Sequence, residues 1–245
     1  MINDLLDTLK NRFNATSLRI DLAAEIYTNN DLDNLCSYAN NNDLTITIKI
    51  GGCDSASEIY LAKKYCAKSI IAPMIESSYA LKKFVYACKK IYSDTELQNI
   101  NLYPNIETIT AYNNIDKILS IPEIQYINGI VLGRDDMAGS MNLKNINSEK
   151  MLEIAKTLSE KAKEYNIDFI VGGGIRPNAV EFLKNLSDIK HYETRMIVFD
   201  GNNISNNAII KAIEFEIEFL KNKQIKDGYK RISKLQDEIC EKSKN

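Results

Sequence analysis

The 245-residue chain has little histidine, since His191 is the only one. A three-histidine zinc site is therefore impossible from this chain alone, and a serine–histidine–aspartate triad would have to use that single residue. Its five cysteines are an odd number without C-x-x-C spacing, so neither a disulfide framework nor a zinc knuckle is indicated. The cysteines are interpreted as core or helix-face residues, and Cys53 alone is placed where a thiol could face a pocket.

The sequence also lacks a membrane-spanning apolar run and a basic face, and both absences narrow the class of protein. No apolar run approaches the roughly 20 residues needed to cross a bilayer, and residues 1–12 form a polar amphipathic helix pattern rather than a signal peptide. The formal net charge is −2, and lysine and glutamate are distributed along the whole chain, so no basic face for nucleic acid is indicated. We expect a cytoplasmic protein that binds neither nucleic acid nor membranes.

Short β-branched runs alternate with longer segments of helical period, and no linker or low-complexity segment divides them. Several of the runs lack polar alternation, as strands of a parallel sheet do when both faces are buried. The pattern predicts an α/β fold, a single (β/α)8 TIM barrel over residues 1–245 with extra helices over about 203–243. Strands are predicted near 17–22, 44–50, 69–72, 101–106, 129–132, 169–172 and 195–199, with an eighth near 189–192 or within the first twenty residues.

The last predicted helix, from about Gln224 to Lys242, has more apolar surface than a closing barrel helix needs. Ile232, Leu235 and Ile239 recur at three- and four-residue spacing and define one apolar face. We expect this face to dock on a neighbouring subunit of a homo-oligomer, with packing across the barrel floor as the alternative.

Two acidic residues, Glu107 and Asp136, each close a short apolar run, at 102–107 and 130–136. If these runs are consecutive parallel strands, both carboxylates emerge at the same end of the sheet, where a hard divalent cation could be held between them. The alternative is that both residues cap the helices that follow.

Four segments resemble successive strand ends of the HpcH/HpaI aldolase and citrate lyase family. They are K-I-G-G at 49–52, I-A-P-M-I-E-S at 71–77, N-I-E-T at 105–108 and G-R-D-D-M-A-G-S at 133–140. The resemblance implies a barrel of the phosphoenolpyruvate/pyruvate type, a Mg²⁺ or Mn²⁺ ion held by Glu107 and Asp136, and a small 2-oxo acid or related acyl substrate. The implied reaction makes or breaks a carbon–carbon bond next to a pyruvate-like enolate. Asp135 has no counterpart in the family pattern and is an alternate ligand or a neighbour of the ligands.

Lys49 stands where the family carries an arginine that binds the substrate's carboxylate or oxo group. Lysine supplies a point charge without the bidentate fork of arginine. It could act as an electrostatic clamp, or it could form a Schiff base and make the protein a metal-independent aldolase. The missing arginine also leaves open a barrel without catalysis that serves as a binding or scaffold protein.

Glu25 is taken as the end of the first strong strand, in the segment D-L-A-A-E, where the family keeps a polar residue near the substrate. It is a candidate proton-transfer residue, and a surface glutamate is the alternative. Arg134 could reach a substrate carboxylate or phosphate, or pair with Asp135.

Gly172 and Gly173 begin a glycine turn after another strand, and bare backbone amides at such a turn can bind an anion. Arg176 would add positive charge for an acidic substrate. Glu193 and Arg195 are predicted to form a structural ion pair at the opposite, amino-terminal end of the barrel.

Overall fold

The computed structural model describes residues 1–223 and 228–242. Eight strands close into one barrel in sequence order: β1 (Ala15–Asp21), β2 (Thr45–Lys49), β3 (Ser69–Ala72), β4 (Asn101–Ile106), β5 (Gly129–Gly133), β6 (Asp168–Gly172), β7 (His191–Glu193) and β8 (Ile197–Asp200). The helices are α1 (Ile2–Phe13), α2 (Asn29–Asn41), α3 (Ala56–Lys64), α4 (Ser78–Ile91), α5 (Asp94–Leu97), α6 (Ile109–Asn113), α7 (Ile115–Leu119), α8 (Arg134–Ser140), α9 (Glu149–Glu164), α10 (Val180–Lys184), α11 (Asn206–Asn222) and α12 (Gly228–Lys242). The predicted α/β barrel with additional C-terminal helices is confirmed.

The last strand departs from the parallel arrangement of the others. Neighbouring strands from β1 to β7 are parallel, whereas β8 is antiparallel to both β7 and β1. Only residues 194–196 connect β7 to β8, which is too short for the crossover that a parallel pair requires. The strand predicted near residues 189–192 is therefore β7, and the barrel closes through a hairpin.

The interior of the barrel is divided into an apolar and a polar part. Four side chains from β3 to β6 form a small apolar cluster of their own, Ile71, Tyr103, Val131 and Ile170. In contrast, β1, β2 and β7 contribute buried polar side chains that line cavities inside the barrel, Ser17, Arg19, Asp21, Thr47 and Glu193. The polar part of the interior extends to the carboxyl-terminal end of the strands.

The apolar face predicted on the last helix is covered by the chain's own fold. Helix α12 packs against α11, Ile232 and Leu235 are buried in the main core, and Ile239 lies partly buried against it. Docking of this face on a neighbouring subunit was therefore the wrong interpretation, and the homo-oligomer itself stays a prediction.

Ion pairs place α12 at the carboxyl-terminal end of the barrel, not across its floor. Arg231 of α12 pairs with Glu25, which follows β1. Glu238 of α12 forms an ion pair with Arg176, whose Nε lies 2.9 Å from the Glu238 carboxylate. Arg176 follows β6. The helix is thus attached to two segments that leave the carboxyl ends of strands.

The amino-terminal helix is the amphipathic element that its sequence predicts. It packs against α11 and buries Leu6 and Leu9 completely. In the described part of the chain, no helix is both long and apolar enough to cross a bilayer.

Close packing between β5 and β6 makes Gly129 a test of the fold. A Cβ at Gly129 would lie 2.5 Å from the backbone oxygen of Asp168 on the adjacent strand, whereas a Cβ at Gly139 in α8 meets no atom within 4 Å. We expect Gly129→Ala to lower the free energy of unfolding by about 1–3 kcal/mol through overpacking. Gly139→Ala should raise it by about 0.5–1 kcal/mol, since alanine suits a helix better than glycine. Urea denaturation measures both, and equal stability of the two variants would contradict this packing.

Candidate active site

A cavity of about 500 Å³ opens at the carboxyl-terminal end of the barrel. Among the described residues, its charged lining consists of Arg19, Asp21, Lys49, Glu107, Asp135, Asp136, Arg176, Glu193 and Arg195. Most of these side chains follow or end strands, which is where barrels of this type place their chemistry. The two predicted metal ligands and Lys49 therefore face one cavity.

The centre of the cavity is the carboxylate of Glu107, which directly follows β4. Its side chain is only 1% exposed, and it accepts three hydrogen bonds. Oε2 accepts from Lys49 Nζ at 3.0 Å and from Asn105 Nδ2 at 2.6 Å, and Oε1 accepts from the backbone N–H of Met74 at 2.9 Å. Burial raises the pKa of Glu107, and the charge of Lys49 only partly opposes this rise.

Two backbone features make room for Glu107 and hold it in place. A Cβ at Gly133 would lie 2.7 Å from the Cβ of Glu107, so the glycine of the G-R-D-D segment is required by this close approach. Met74 adopts a left-handed conformation with φ of 51°, which is uncommon for a side chain of this kind. This conformation accompanies the hydrogen bond from its N–H to Glu107.

Asp136 lies in the first turn of α8, exposed to the same cavity. Its charge is close enough to Glu107 to contribute to the raised pKa of that carboxyl. The N-terminal turn of a helix also favours negative charge, which suits Asp135 and Asp136. Within residues 1–223 and 228–242, neither aspartate forms an ion pair, so their charge remains available to a cation.

The capping interpretation of these two carboxylates does not hold. The hydroxyl of Thr108 caps α6 by accepting from the N–H of Ala111, so Glu107 is not needed for that role. The residue at the N-cap of α8 is Gly133, and Asp136 lies three positions further on.

The oxygen chemistry of the cavity fits a hard divalent cation. In the described residues, no group of three or more histidine, cysteine, aspartate or glutamate side chains converges as a metal site. A cation would therefore rest on Glu107 and Asp136, and substrate oxygens and water would complete its coordination. Asn105 Oδ1, beside Glu107 in the lining, is buried and has no hydrogen-bond partner among the described atoms. Such an unsatisfied oxygen is compatible with a cation or a water molecule at this point.

Arg134 does not reach the cavity, contrary to the prediction that it contacts substrate. Its guanidinium is fully buried and donates to the backbone oxygens of Gly173 and Gly174, both at 3.1 Å, and to Asn147 Oδ1 at 2.7 Å. It lies over the ring of Phe182, and burial lowers its pKa to about 10. Arg134 thus stabilises the glycine turn through hydrogen bonds and does not line the cavity.

The glycine turn itself faces the cavity at Gly173 and Gly174. Both have positive φ, of 73° and 57°, which a glycine adopts without strain. Gly172 is outside the lining, and a Cβ there would lie 2.6 Å from Glu193 Oε1. Gly172 was predicted to contact the substrate, but it does not line the cavity. Its role is to leave room for the side chain of Glu193. Arg176 lines the cavity as expected.

Glu25 is held outside the cavity by cations and does not fit a proton-transfer role. Arg195 Nη2 lies 2.8 Å from Glu25 Oε1, Arg231 pairs with the same oxygen, and Lys223 Nζ lies 3.6 Å from Oε2. Burial alone would raise the pKa of Glu25, but the two guanidinium groups outweigh it and hold the pKa below its usual range. The strand β1 ends at Asp21, four residues earlier, so Glu25 was wrongly taken as the strand end.

The predicted ion pair between Glu193 and Arg195 is also wrong. Because β7 and β8 form a hairpin, the residues that connect them lie at the carboxyl-terminal end of β7, and both side chains line the cavity. Glu193 Oε1 lies 3.2 Å from Arg19 Nε, and Arg195 pairs with Glu25 instead.

Sequence reasoning did not find Arg19, Asp21 or Asn105. Arg19 is buried in β1, with Nη2 at 3.1 Å from Asp21 Oδ2 and Nη1 donating to the backbone oxygen of Arg195 at 3.0 Å. A signal was present, since Arg19 and Asp21 are the two charged residues of β1, stand two positions apart and so share one face of the strand. Asn105 stands in the same relation to Glu107.

The fold and the cavity define an α/β barrel with an acidic and cationic site at the carboxyl ends of its strands. The family model described as HpcH/HpaI aldolase/citrate lyase matches residues 31–193, more than half of the chain. The protein belongs to the HpcH/HpaI aldolase/citrate lyase family, whose members are metal-dependent lyases.

Solved structures with the same fold are distant in sequence. An HpcH/HpaI aldolase from Desulfitobacterium hafniense DCB-2 superposes with a TM-score of 0.63 at 14% identity, over 77% of this chain and 81% of that chain. The citrate synthase SbnG gives 0.62 at 12% identity, over 90% of this chain and 89% of that one. A Burkholderia cenocepacia J2315 protein of the HpcH/HpaI aldolase/citrate lyase family gives 0.60 at 12% identity, over 76% and 82%. The comparison with curated proteins gives no match.

The position of Arg134 predicts a structural effect of its removal. Arg134→Met would leave partly buried acceptors unpaired at Gly173, Gly174 and Asn147, so we expect the free energy of unfolding to fall by about 1–3 kcal/mol. Arg12→Met, at an exposed position of α1, is the matched control and should change it by less than about 0.5 kcal/mol. Guanidinium denaturation compares the two. An Arg134→Met protein as stable as the control would show that this guanidinium does not support the turn.

Proposed function

We propose that the protein is a divalent-metal-dependent carbon–carbon lyase or aldolase that acts through an enolate of a pyruvate-like 2-oxo acid or related acyl substrate. Mg²⁺ or Mn²⁺ is the proposed ion, with Glu107 and Asp136 as its ligands. The observation that carries the proposal is the convergence of these two carboxylates and Lys49 in one cavity. Membership of a family of lyases supports the reaction class.

The chemistry explains why these residues would be needed. Breaking an aldol bond leaves negative charge on an enolate oxygen. When bound, a divalent cation supplies stabilisation of that charge as it develops. Glu107 and Asp136 would hold it, and the carboxylate of Asp135 in the same lining adds to the negative field there.

Lys49 supplies a positive charge beside the same position. Its ammonium donates to Glu107 Oε2 at 3.0 Å and its side chain is only 12% exposed, so the ion pair fixes its position in the cavity lining. We infer that it binds the carboxylate or oxo group of the substrate. The contact with Glu107 engages the same Nζ atom that would have to attack a carbonyl in a Schiff-base mechanism, which favours the electrostatic role.

The substrate's anionic groups have further partners in the lining. Gly173, Gly174 and Arg176 line the cavity, and the guanidinium of Arg176 also pairs with Glu238 at 2.9 Å and with Glu216 at 3.9 Å. We propose that this side of the cavity contributes to holding an acidic substrate, as the glycine turn predicts.

Removal of either proposed ligand should abolish enolate formation. Glu107→Gln and Asp136→Asn should each lower the metal-dependent exchange of the C3 protons of pyruvate with D₂O by about 100-fold or more, because each removes charge that a bound ion requires. Proton NMR with Mg²⁺ or Mn²⁺, and with EDTA as the blank, follows the exchange without an aldehyde. Glu153→Gln makes the same change at an exposed ion pair with Lys150 and should keep the wild-type rate.

The same measurement separates the proposal from a non-catalytic barrel. A double variant at Glu107 and Asp136 that exchanges protons as fast as the wild type would rule out the metal site. If the wild-type protein shows no metal-dependent exchange with pyruvate, oxaloacetate or any other 2-oxo acid of a panel, the binding or scaffold function is favoured instead.

Lys49 variants distinguish the two aldolase mechanisms. As an electrostatic clamp, Lys49→Arg should keep substantial activity, while Lys49→Ala should lose about 3 kcal/mol of transition-state stabilisation, the amount typical of a lost oxyanion donor. The measurement is kcat/KM for cleavage of a 4-hydroxy-2-oxo acid.

Chemical trapping provides the opposing outcome for Lys49. Treatment of the wild type with pyruvate and borohydride in EDTA should leave Lys49 unmodified, with the Lys49→Ala protein as the blank. A pyruvyl adduct found by mass spectrometry on the peptide that contains Lys49 would establish a Schiff base and overturn the enolate mechanism proposed here.

A further inference from the structure

The proposed reaction needs a group that moves a proton, and the residue expected for it is not available. Glu25 lies outside the cavity, in contact with Arg195, Arg231 and Lys223. Among the other carboxylates of the lining, Glu107 and Asp136 are the proposed ion ligands. Asp21 and Glu193 both pair with Arg19. Burial alone would raise the pKa of Asp21, but Arg19, Lys49 and Arg195 hold it below its usual range. Asp135 is exposed and adjacent to the proposed ligand Asp136.

The space around Glu193 is built to admit its side chain into the cavity. Glu193 ends β7, is 5% exposed and lines the cavity. On the adjacent strand β6, Gly172 has no side chain, and a Cβ there would lie 2.6 Å from Glu193 Oε1. Any larger residue at position 172 would displace the carboxyl group.

Glu193 also borders a second cavity of about 90 Å³ deeper in the barrel. Much of its lining is hydroxyl, amide and imidazole, from Thr16, Ser17, Thr45, Thr47, Ser69, Asn101, Tyr103 and His191. Ile71, Val131, Ile170 and Val198 give the cavity apolar walls as well, and its volume exceeds the roughly 10–15 Å³ that one water molecule needs. Of the residues that the structure describes, Glu193 alone lines both cavities, so its carboxyl group can exchange protons with water on the side away from the substrate.

The charged side chains that face Glu193 lie on β1 and β2, which are adjacent to each other in the barrel. Arg19 and Asp21 lie on β1, and Lys49 lies on β2, while β6 contributes Gly172 and β8 contributes Val198 opposite Glu193. Burial raises the pKa of Glu193, and the positive charges of Arg19 and Lys49 oppose this rise without cancelling it. A carboxyl whose pKa is raised holds a proton more readily than an exposed glutamate, which suits a group that accepts and returns a proton.

We propose that Glu193 is the proton-transfer residue of this cavity, an inference that rests on the proposed function. In the cleavage direction, the carboxylate takes the proton from the C4 hydroxyl of a 4-hydroxy-2-oxo acid. The aldehyde carbonyl forms as the C3–C4 bond breaks, and the electron pair of that bond passes into the enolate. The protonated Glu193 then gives its proton to C3, which releases the 2-oxo acid and restores the carboxylate.

The test compares Glu193→Gln and Glu193→Asp with the wild type in the cleavage of 4-hydroxy-2-oxopentanoate with Mg²⁺ or Mn²⁺. Glutamine keeps the shape but cannot take a proton, so kcat should fall by about 10²- to 10⁴-fold while KM changes little. Aspartate keeps the charge beside Arg19 and should recover part of the rate. The fall of kcat at low pH should move to lower pH in Glu193→Asp and vanish in Glu193→Gln, a change that a merely structural role would not produce.

The outcomes separate this inference from the proposed function. Wild-type kcat in Glu193→Gln, or an unchanged pH profile in Glu193→Asp, overturns the role of Glu193 while cleavage by the wild type leaves the proposed function standing. If Glu193→Gln does not fold, as circular dichroism would show, the Glu193→Asp profile alone decides. Absence of both cleavage and C3 proton exchange in the wild type overturns the proposed function and this inference with it.

Discussion

The burial of one carboxylate, that of Glu107, constrains everything around it. An ionised group at this depth is stable only with a charge partner and hydrogen-bond donors, and Lys49, Asn105 and the N–H of Met74 provide them. The backbone adapts as well, with a glycine at position 133 and a left-handed Met74. Four successive strand ends are thereby fixed relative to one another through a single side chain.

Those strand ends were also the part of the molecule that could be predicted from the sequence. Parallel strands carry their carboxyl ends to one edge, so Lys49, Glu107 and Asp136 were expected together, and the structure brings them together. The alternation of short apolar runs with helical segments likewise predicted the barrel. Both inferences depend on periodicity and direction along the chain, which the sequence records directly.

The parts that could not be predicted depend on which way a short segment turns. The direction of β8 is set by a three-residue connection, and with it the end of the barrel at which Glu193 and Arg195 lie. Arg134 was placed by its neighbours in the chain, but as the first residue of α8 it points behind the glycine turn. Partners from distant segments, such as Arg231 for Glu25, leave no local trace in the sequence.

The closing hairpin also determines when the barrel can be completed. The strand β1 pairs with β8 through residues about 180 positions apart, as in Ala15 with Phe199. One edge of β1 therefore has no partner until β8 has been synthesised. Helix α1 likewise lacks its contact with α11 until that helix has been synthesised. Contacts of such long range slow folding, and an open strand edge can pair with other chains. We therefore expect the open edge of β1 to be prone to pairing with other chains until β8 has formed.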